Sequence, residues 1–150
     1  MKDQKIMFHC KVQQSLVKEE KSIKDSIVFT SFAGEFKEGM FVDHSKQIES
    51  LIVQNNAWDK VTFGEQMDEW ILKLSDPRSG ETFATIPRCR LNNIIAQRGE
   101  EGKVKIGLVI KHQKSPFQQA LEMAVSTEVL MHLKLDETVL DGIGDDNEEG

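Results

Sequence analysis

Seven basic side chains fall between Ile86 and Lys114: Arg88, Arg90, Arg98, Lys103, Lys105, Lys111 and Lys114. Only Glu100 and Glu101 oppose them, so the stretch carries a local net charge of +5. Side chains of a strand alternate between its two faces, so Lys103, Lys105 and Lys111, an even number of positions apart, share one face if the segment is extended. Fixed positive charge along a strand, together with rings on which bases stack, suits a single-stranded phosphate backbone. Trp58, Trp70, Phe32 and Phe83 are the rings weighed for stacking, and Trp58 joins the seven cations in the candidate site. The bland counterpart is an ordinary solvated sheet face whose lysines keep the strands from pairing with other chains.

Other reactive residue types lack partners at useful spacing. His9, His44, His112 and His132 are far apart, with no i, i+4 pair of the kind that holds a metal on a helix. Each is expected to face solvent or to make a single hydrogen bond. Ser31, Ser45 and Ser126 lie outside any Gly-x-Ser-x-Gly elbow. Gly99 and Gly102 bracket two glutamates, the wrong charge for cradling a phosphate. The carboxylate pairs Asp68/Glu69 and Glu100/Glu101 are merely sequence neighbours. Cys10 and Cys89, 79 positions apart, suit neither a zinc knuckle nor a redox pair and read as buried, reduced thiols. No catalytic, metal or cofactor site is expected, and the chain is read as a non-enzyme.

Charge divides the 150 residues in two. Residues 136–150 hold seven acidic side chains and no Lys or Arg. Residues 1–135 hold all 19 basic groups and 18 acidic ones, so a near-neutral body of net +1 precedes an acidic tail, for a total of −6. Blocks of like charge usually solvate and act as interaction tails. Val139, Leu140 and Ile143 lie within the acidic run, a mixture suited to docking. The organisation expected is one globular domain over 1–135 and a tail over 136–150. No run of 18 apolar residues is present, so no membrane span is expected, and a cytoplasmic location follows by default.

The positioning elements are mostly strands. Ile6, Phe8, Cys10 and Val12 alternate with polar residues, which predicts a strand with one buried face, followed by a turn over 17–24. A second strand is expected from Ile27 to Phe32, and a third over 36–42, interrupted at Gly39. Asp43 or Ser45 would cap a short helix with Ile48, Leu51 and Ile52 at helical spacing, ended by Asn55-Asn56, and 58–63 reads as a short strand. Trp70–Leu74 and Thr82–Ile86 flank a loop dense in turn formers and predict a hairpin that Pro87 closes. Leu91, Ile94 and Ile95 suggest a helical turn, followed by a turn at 99–102 and a strand over 103–112. Ser115, Pro116 and Gln118 read as a capped helix start, with Phe117, Ala120, Leu121, Ala124 and Val125 as its apolar stripe. A closing strand is expected over 129–135. The fold class is therefore α+β and sheet-rich, with mostly antiparallel strands and two or three short helices. A small, partly closed barrel of the OB-like kind is one economical arrangement, and a flat sheet backed by helices is its rival.

The basic stretch Ile86–Lys114 on a sheet-rich body, followed by the acidic 136–150 tail, resembles the single-stranded DNA-binding proteins of bacteria and bacteriophages. The chain departs from their pattern in lacking a Gly-rich linker and in ending Glu148-Glu149-Gly150. The resemblance implies an OB-like barrel that binds single-stranded nucleic acid, DNA first, as a replication or transcription accessory. It also implies a tail that regulates binding or recruits a protein partner, and it is compatible with homo-oligomerisation. The alternative from another class is a small acidic inhibitor or immunity-type protein that blocks a macromolecular target.

Overall fold

A computed structural model describes residues 5–19, 26–42, 49–50, 52–53, 59–64 and 69–135. Among the described residues eight strands are defined: β1 (Lys5–Glu19), β2 (Ile27–Glu35), β3 (Phe41–Val42), β4 (Lys60–Phe63), β5 (Trp70–Ser75), β6 (Thr82–Arg98), β7 (Val104–Gln113) and β8 (Glu128–Leu135). Six of them close a ring in the order β1–β2–β7–β6–β5–β8 and back to β1, with every pairing antiparallel. The sheet is thus barrel-like. β3 adds to β1, and β4 adds to β6.

Two long strands make the corners. β1 pairs β8 through Lys5–Lys11 and β2 through Lys11–Glu19. β6 pairs β5 up to Cys89 and β7 from Arg90 onward. Each change of partner coincides with a register shift, at Val12/Gln14 in β1 and opposite Trp70/Leu72 in β6. Strands that switch sheets through bulges are how orthogonally packed walls turn their corners. One wall comprises the second half of β1, β2, β7 and the second half of β6. The other comprises the first half of β6, β5, β8 and the first half of β1.

The interior is filled from both walls. Phe32, Trp70, Leu72, Leu74, Ile86, Leu91, Ile94, Ile106, Leu108, Ile110 and Leu133 are all at most 1% exposed. Burying each such side chain contributes roughly 1.5–3 kcal/mol relative to leaving it in water. Where the walls converge, space runs short. A Cβ built on Gly34 would lie 2.8 Å from the His9 carbonyl oxygen and 3.0 Å from the Phe8 ring, so only glycine lets β2 cross β1 this closely.

Several expectations are corrected. Pro87 does not close the hairpin, because β6 runs through it to Arg98. Two β6 residues, Pro87 and Arg88, stand against the single Ile71 between paired positions, and Arg88 adopts φ 56°. A bulge needs no ladder donor from its extra residue, which is why a proline is tolerated there. The helical turn expected at 88–98 is likewise strand. Asn92 is an extra residue between the pairs Leu91–Ile110 and Asn93–Val109, so Leu91 and Ile94 both face the core although three positions apart. That bulge imitates helical spacing. Strand β1 persists through Val17–Glu19, where a turn was expected, and residues 20–25 lie outside the described residues.

Two or three short helices are not borne out. Among the described residues one α-helix, α1 (Gln118–Met123), is delimited, along with a 3-10 turn at Glu100–Gly102. Of the helix expected after Asp43 or Ser45, the described residues 49–50 and 52–53 are helical, with Ile52 buried in the core, and the rest lies outside the described residues. Helix α1 also starts differently from the capping-box expectation. Ser115 Oγ accepts from the Phe117 N–H (3.1 Å), and Gln118 turns inward to donate to Ser15 Oγ (3.0 Å) instead of reaching back to the cap. The antiparallel strands, the hairpin loop at 76–81 and the closing strand agree with the sequence. In that loop Asp76 Oδ1 accepts from Arg78 N–H (2.8 Å), and Gly80 sits at φ 77°.

Candidate nucleic-acid interface

The outer face of the wall β1–β2–β7–β6 is laid out in rows by the strand registers. One row runs Leu16, Phe29, Lys111, Arg90, and the next Gln14, Ser31, Val109, Asn93. A third row is Lys11, Ala33, Gly107, Ile95, with Thr62 of β4 beyond it. The last is Glu35, Lys105, Gln97, with Lys60 beyond it. Small side chains at Ser31, Ala33 and Gly107 keep the middle low, while cations stand at both ends. Lys105 and Lys111, six positions apart on one strand, are separated by roughly 20 Å.

At the Lys105 end the surface deepens into an open cleft of about 820 Å³. Its cations are Lys11, Lys37, Lys103 and Lys105, with Glu35 and Glu128 as the opposing charges. His9 joins them and lies 3.8 Å from Glu128, both side chains well exposed. The cleft is therefore moderately positive and open to solvent.

No protein-family model, curated protein or solved structure matches this chain.

The eight expected site residues divide. Arg88 and Arg90 are exposed on β6, and Arg90 sits directly opposite Lys111. Lys105 and Lys111 share the outer face of β7, and exposed Lys103 borders the same cleft just before that strand. Arg98 does not join them. The Asn92 bulge reverses the alternation, so Arg98 pairs with Val104, a buried position, and its N–H bonds the Asp59 carbonyl (2.8 Å). Lys114 follows β7 with the alternation of the inward residues, and its N–H bonds the Ser26 carbonyl (3.1 Å). Trp58 lies outside the described residues. Two cations escaped the sequence reading, Lys11 and Lys37, because they come from β1 and the β2–β3 turn. The outward alternation of Lys11 in β1 was the available signal.

The other rings weighed for stacking are taken up by the core. Trp70 and Phe32 are fully buried, and Phe83 is half-buried against the core. Phe36 stacks on Phe41 with centroids 6.5 Å apart. Among the described residues the exposed large apolar side chains are Met7, Leu16, Val53, Met123 and Leu130, none of them aromatic. Positive charge is the main feature of this face, with the partly buried Phe29 standing beside Lys111 in its outer row.

Groups with chemical potential elsewhere are sealed. His112 is 3% exposed, with Nδ1 2.8 Å from the Gln113 carbonyl and Nε2 2.8 Å from Thr30 Oγ1. A carbonyl only accepts, so Nδ1–H donates and Nε2 must accept the Thr30 hydroxyl proton. Thr30 Oγ1 then accepts from Ser15 (2.8 Å), and Ser15 Oγ accepts from Gln118 Nε2 (3.0 Å). This one-way chain ties β1, β2, β7 and α1 together around a neutral imidazole. Burial pushes the His112 pKa down, with the Gln113 carbonyl opposing. The expectation of a solvent-facing or singly bonded histidine fails at this position. Cys10 and Cys89 are free thiols in the core, both pushed up to about 12 by burial. Among the described residues no group of three His, Cys, Asp or Glu side chains could hold a metal ion, and no helix is long and apolar enough to cross a membrane.

Proposed function

We propose that this protein binds single-stranded nucleic acid, DNA first, along the outer face of the β1–β2–β7–β6 wall, as an OB-like accessory factor without catalysis. The observation that carries this reading is the juxtaposition of Lys103, Lys105, Lys11 and Lys37 around one open cleft, continued across a low, small-residue surface to Lys111 and Arg90. The first four come from three separate stretches of sequence, and convergent positive charge beside a shallow track suits a phosphate backbone. The acidic 136–150 segment is the regulatory element of this reading, competing with the strand or engaging a protein partner.

The rival, a small acidic inhibitor that blocks a macromolecule, is favoured by one specific observation. Among the described residues no Phe or Trp is exposed, and the rings at this face are the partly buried Phe29 and the His9 imidazole. A titration separates the two. Fluorescent single-stranded DNA, duplex DNA and RNA are titrated with the full chain at two salt concentrations. Binding of single strands that weakens as salt rises supports the proposal, because phosphate contacts release counterions. Absence of binding at the lower salt overturns it.

A further inference from the structure

The opposite wall carries a second charged surface that the nucleic-acid reading does not use. On its outer side Lys5 of β1 lies directly opposite Lys134 of β8. In the next row Met7 and Lys73 flank His132, and Leu130 lies in the row beyond, between His9 and Ser75. Residues facing each other across antiparallel strands hold their Cβ atoms about 4.5–5.5 Å apart, and like charges so placed are unfavourable. Among the described residues none of these three lysines has an ion-pair partner. The registers thus set Lys73 beside His132 and Lys5 and Lys134 one row away, and burial first, then these three cations, lower the His132 pKa. Beside them Met7 is 53% and Leu130 39% exposed, over a hollow of about 430 Å³. A face of three lysines, without an ion-pair partner among the described residues, around exposed apolar side chains fits an acidic segment that carries apolar residues of its own.

Such a segment follows at once. β8 ends at Leu135, and residues 136–150 supply seven carboxylates with Val139, Leu140 and Ile143 among them. We propose that the 136–150 segment folds back over the outer face of β1, β8 and β5, with its carboxylates on Lys5, Lys73 and Lys134 and its apolar residues over Met7 and Leu130. Reach is ample. Leu130 lies five residues back along β8, roughly 17 Å, whereas fifteen extended residues span up to about 50 Å. Attachment at the edge of the face supplies an effective concentration on the order of millimolar, so weak contacts suffice. This hollow and the basic cleft share His9, Glu35 and Lys37, so a docked segment would continue toward the cleft. The docking itself does not depend on nucleic acid being bound.

The test uses the full chain with methionine methyl groups labelled for NMR and a nitroxide on Asn147→Cys. Cys10 and Cys89 stay unlabelled because both are buried with pKa about 12. The Met7 methyl signal should be lost by paramagnetic broadening at low salt, while that of Met123, 76% exposed on α1, persists. Raising the salt, Lys73→Glu, or the triple change Val139→Ser, Leu140→Ser and Ile143→Ser should each restore it. Equal broadening of Met7 and Met123, or none at Met7, overturns the proposal. So does broadening that appears only between chains in a mixture of spin-labelled and methyl-labelled protein, which would make the occupant a second copy. A Met7 signal indifferent to the tail but shifted by oligothymidine assigns the face to nucleic acid instead. The docking is read before any oligothymidine is added, so its failure leaves the function proposed above standing.

Discussion

Gly34→Ala should destabilise the barrel, whereas Gly107→Ala, on the neighbouring strand of the same wall, should not. At Gly34 the added methyl would meet the His9 carbonyl oxygen at 2.8 Å and two Phe8 ring atoms at 3.0 Å. Backbone cannot swing aside as a flexible side chain would, and Phe8 is 3% exposed. Overpacking of this kind typically costs about 1–3 kcal/mol. At Gly107 the nearest atoms are 3.9 Å away, an ordinary contact, and its φ is not in the left-handed region. There the methyl chiefly restricts the unfolded chain, which stabilises by roughly 0.4–1 kcal/mol. At this chain length about 2–4 °C of midpoint accompanies each kcal/mol, so thermal melts followed by circular dichroism should separate the variants by several degrees. Urea titrations supply the free energies. A Gly34→Ala midpoint equal to wild type, or a Gly107→Ala loss as large as that of Gly34→Ala, would refute the close crossing of β1 and β2 that shuts the ring.

Stability should also fall with acid in a defined window. The folded His112 imidazole is held below 6.5 by burial, so the unfolded chain binds more protons. Its contribution is therefore complete above about pH 6.5 and is lost as pH drops below that, with a slope of up to about 1.4 kcal/mol per pH unit. His132 shifts in the same direction. Urea unfolding between pH 7.5 and 5.5 checks this, and a flat profile would contradict the neutral relay. Cys10 and Cys89, both near 12, should be inert to a thiol-reactive chromophore at pH 8 and titrate as two thiols once the chain is unfolded. Prompt reaction in the folded protein would place either thiol outside the core.

The strands were legible where the alternation was unbroken, as from Ile6 to Val12, Trp70 to Leu74, and Val104 to Ile110. Each predicted inward set is buried. The reading failed at bulges. One extra residue reverses which face later side chains occupy. At Asn92 that made Leu91 and Ile94 look helical and moved Arg98 off the face that Arg90 occupies. Pro87 looked like a terminator for the same reason, since composition does not reveal that a strand passes through a proline at a bulge. The site was half visible. Lys103, Lys105 and Lys111 follow from even spacing, but Lys11 and Lys37 join them only through the pairing of β1 with β2 and the turn that follows. Ring closure depends on β1 meeting both β2 and β8, a long-range pairing that local pattern does not encode.

Salt dependence of single-stranded DNA affinity tests the central claim most directly, measured for wild type, for Lys103→Ala/Lys105→Ala/Lys111→Ala and for Arg98→Ala/Lys114→Ala. Each phosphate contact on a single strand contributes about 0.7 to the slope of log K against log salt. Losing three outward lysines should therefore weaken binding for every sequence tested and flatten the slope by roughly 2, whereas replacing the two inward-aligned cations should leave the slope unchanged. Wild-type affinity and slope in the lysine variant, or an equal loss in the other, would contradict a nucleic-acid interface on this face.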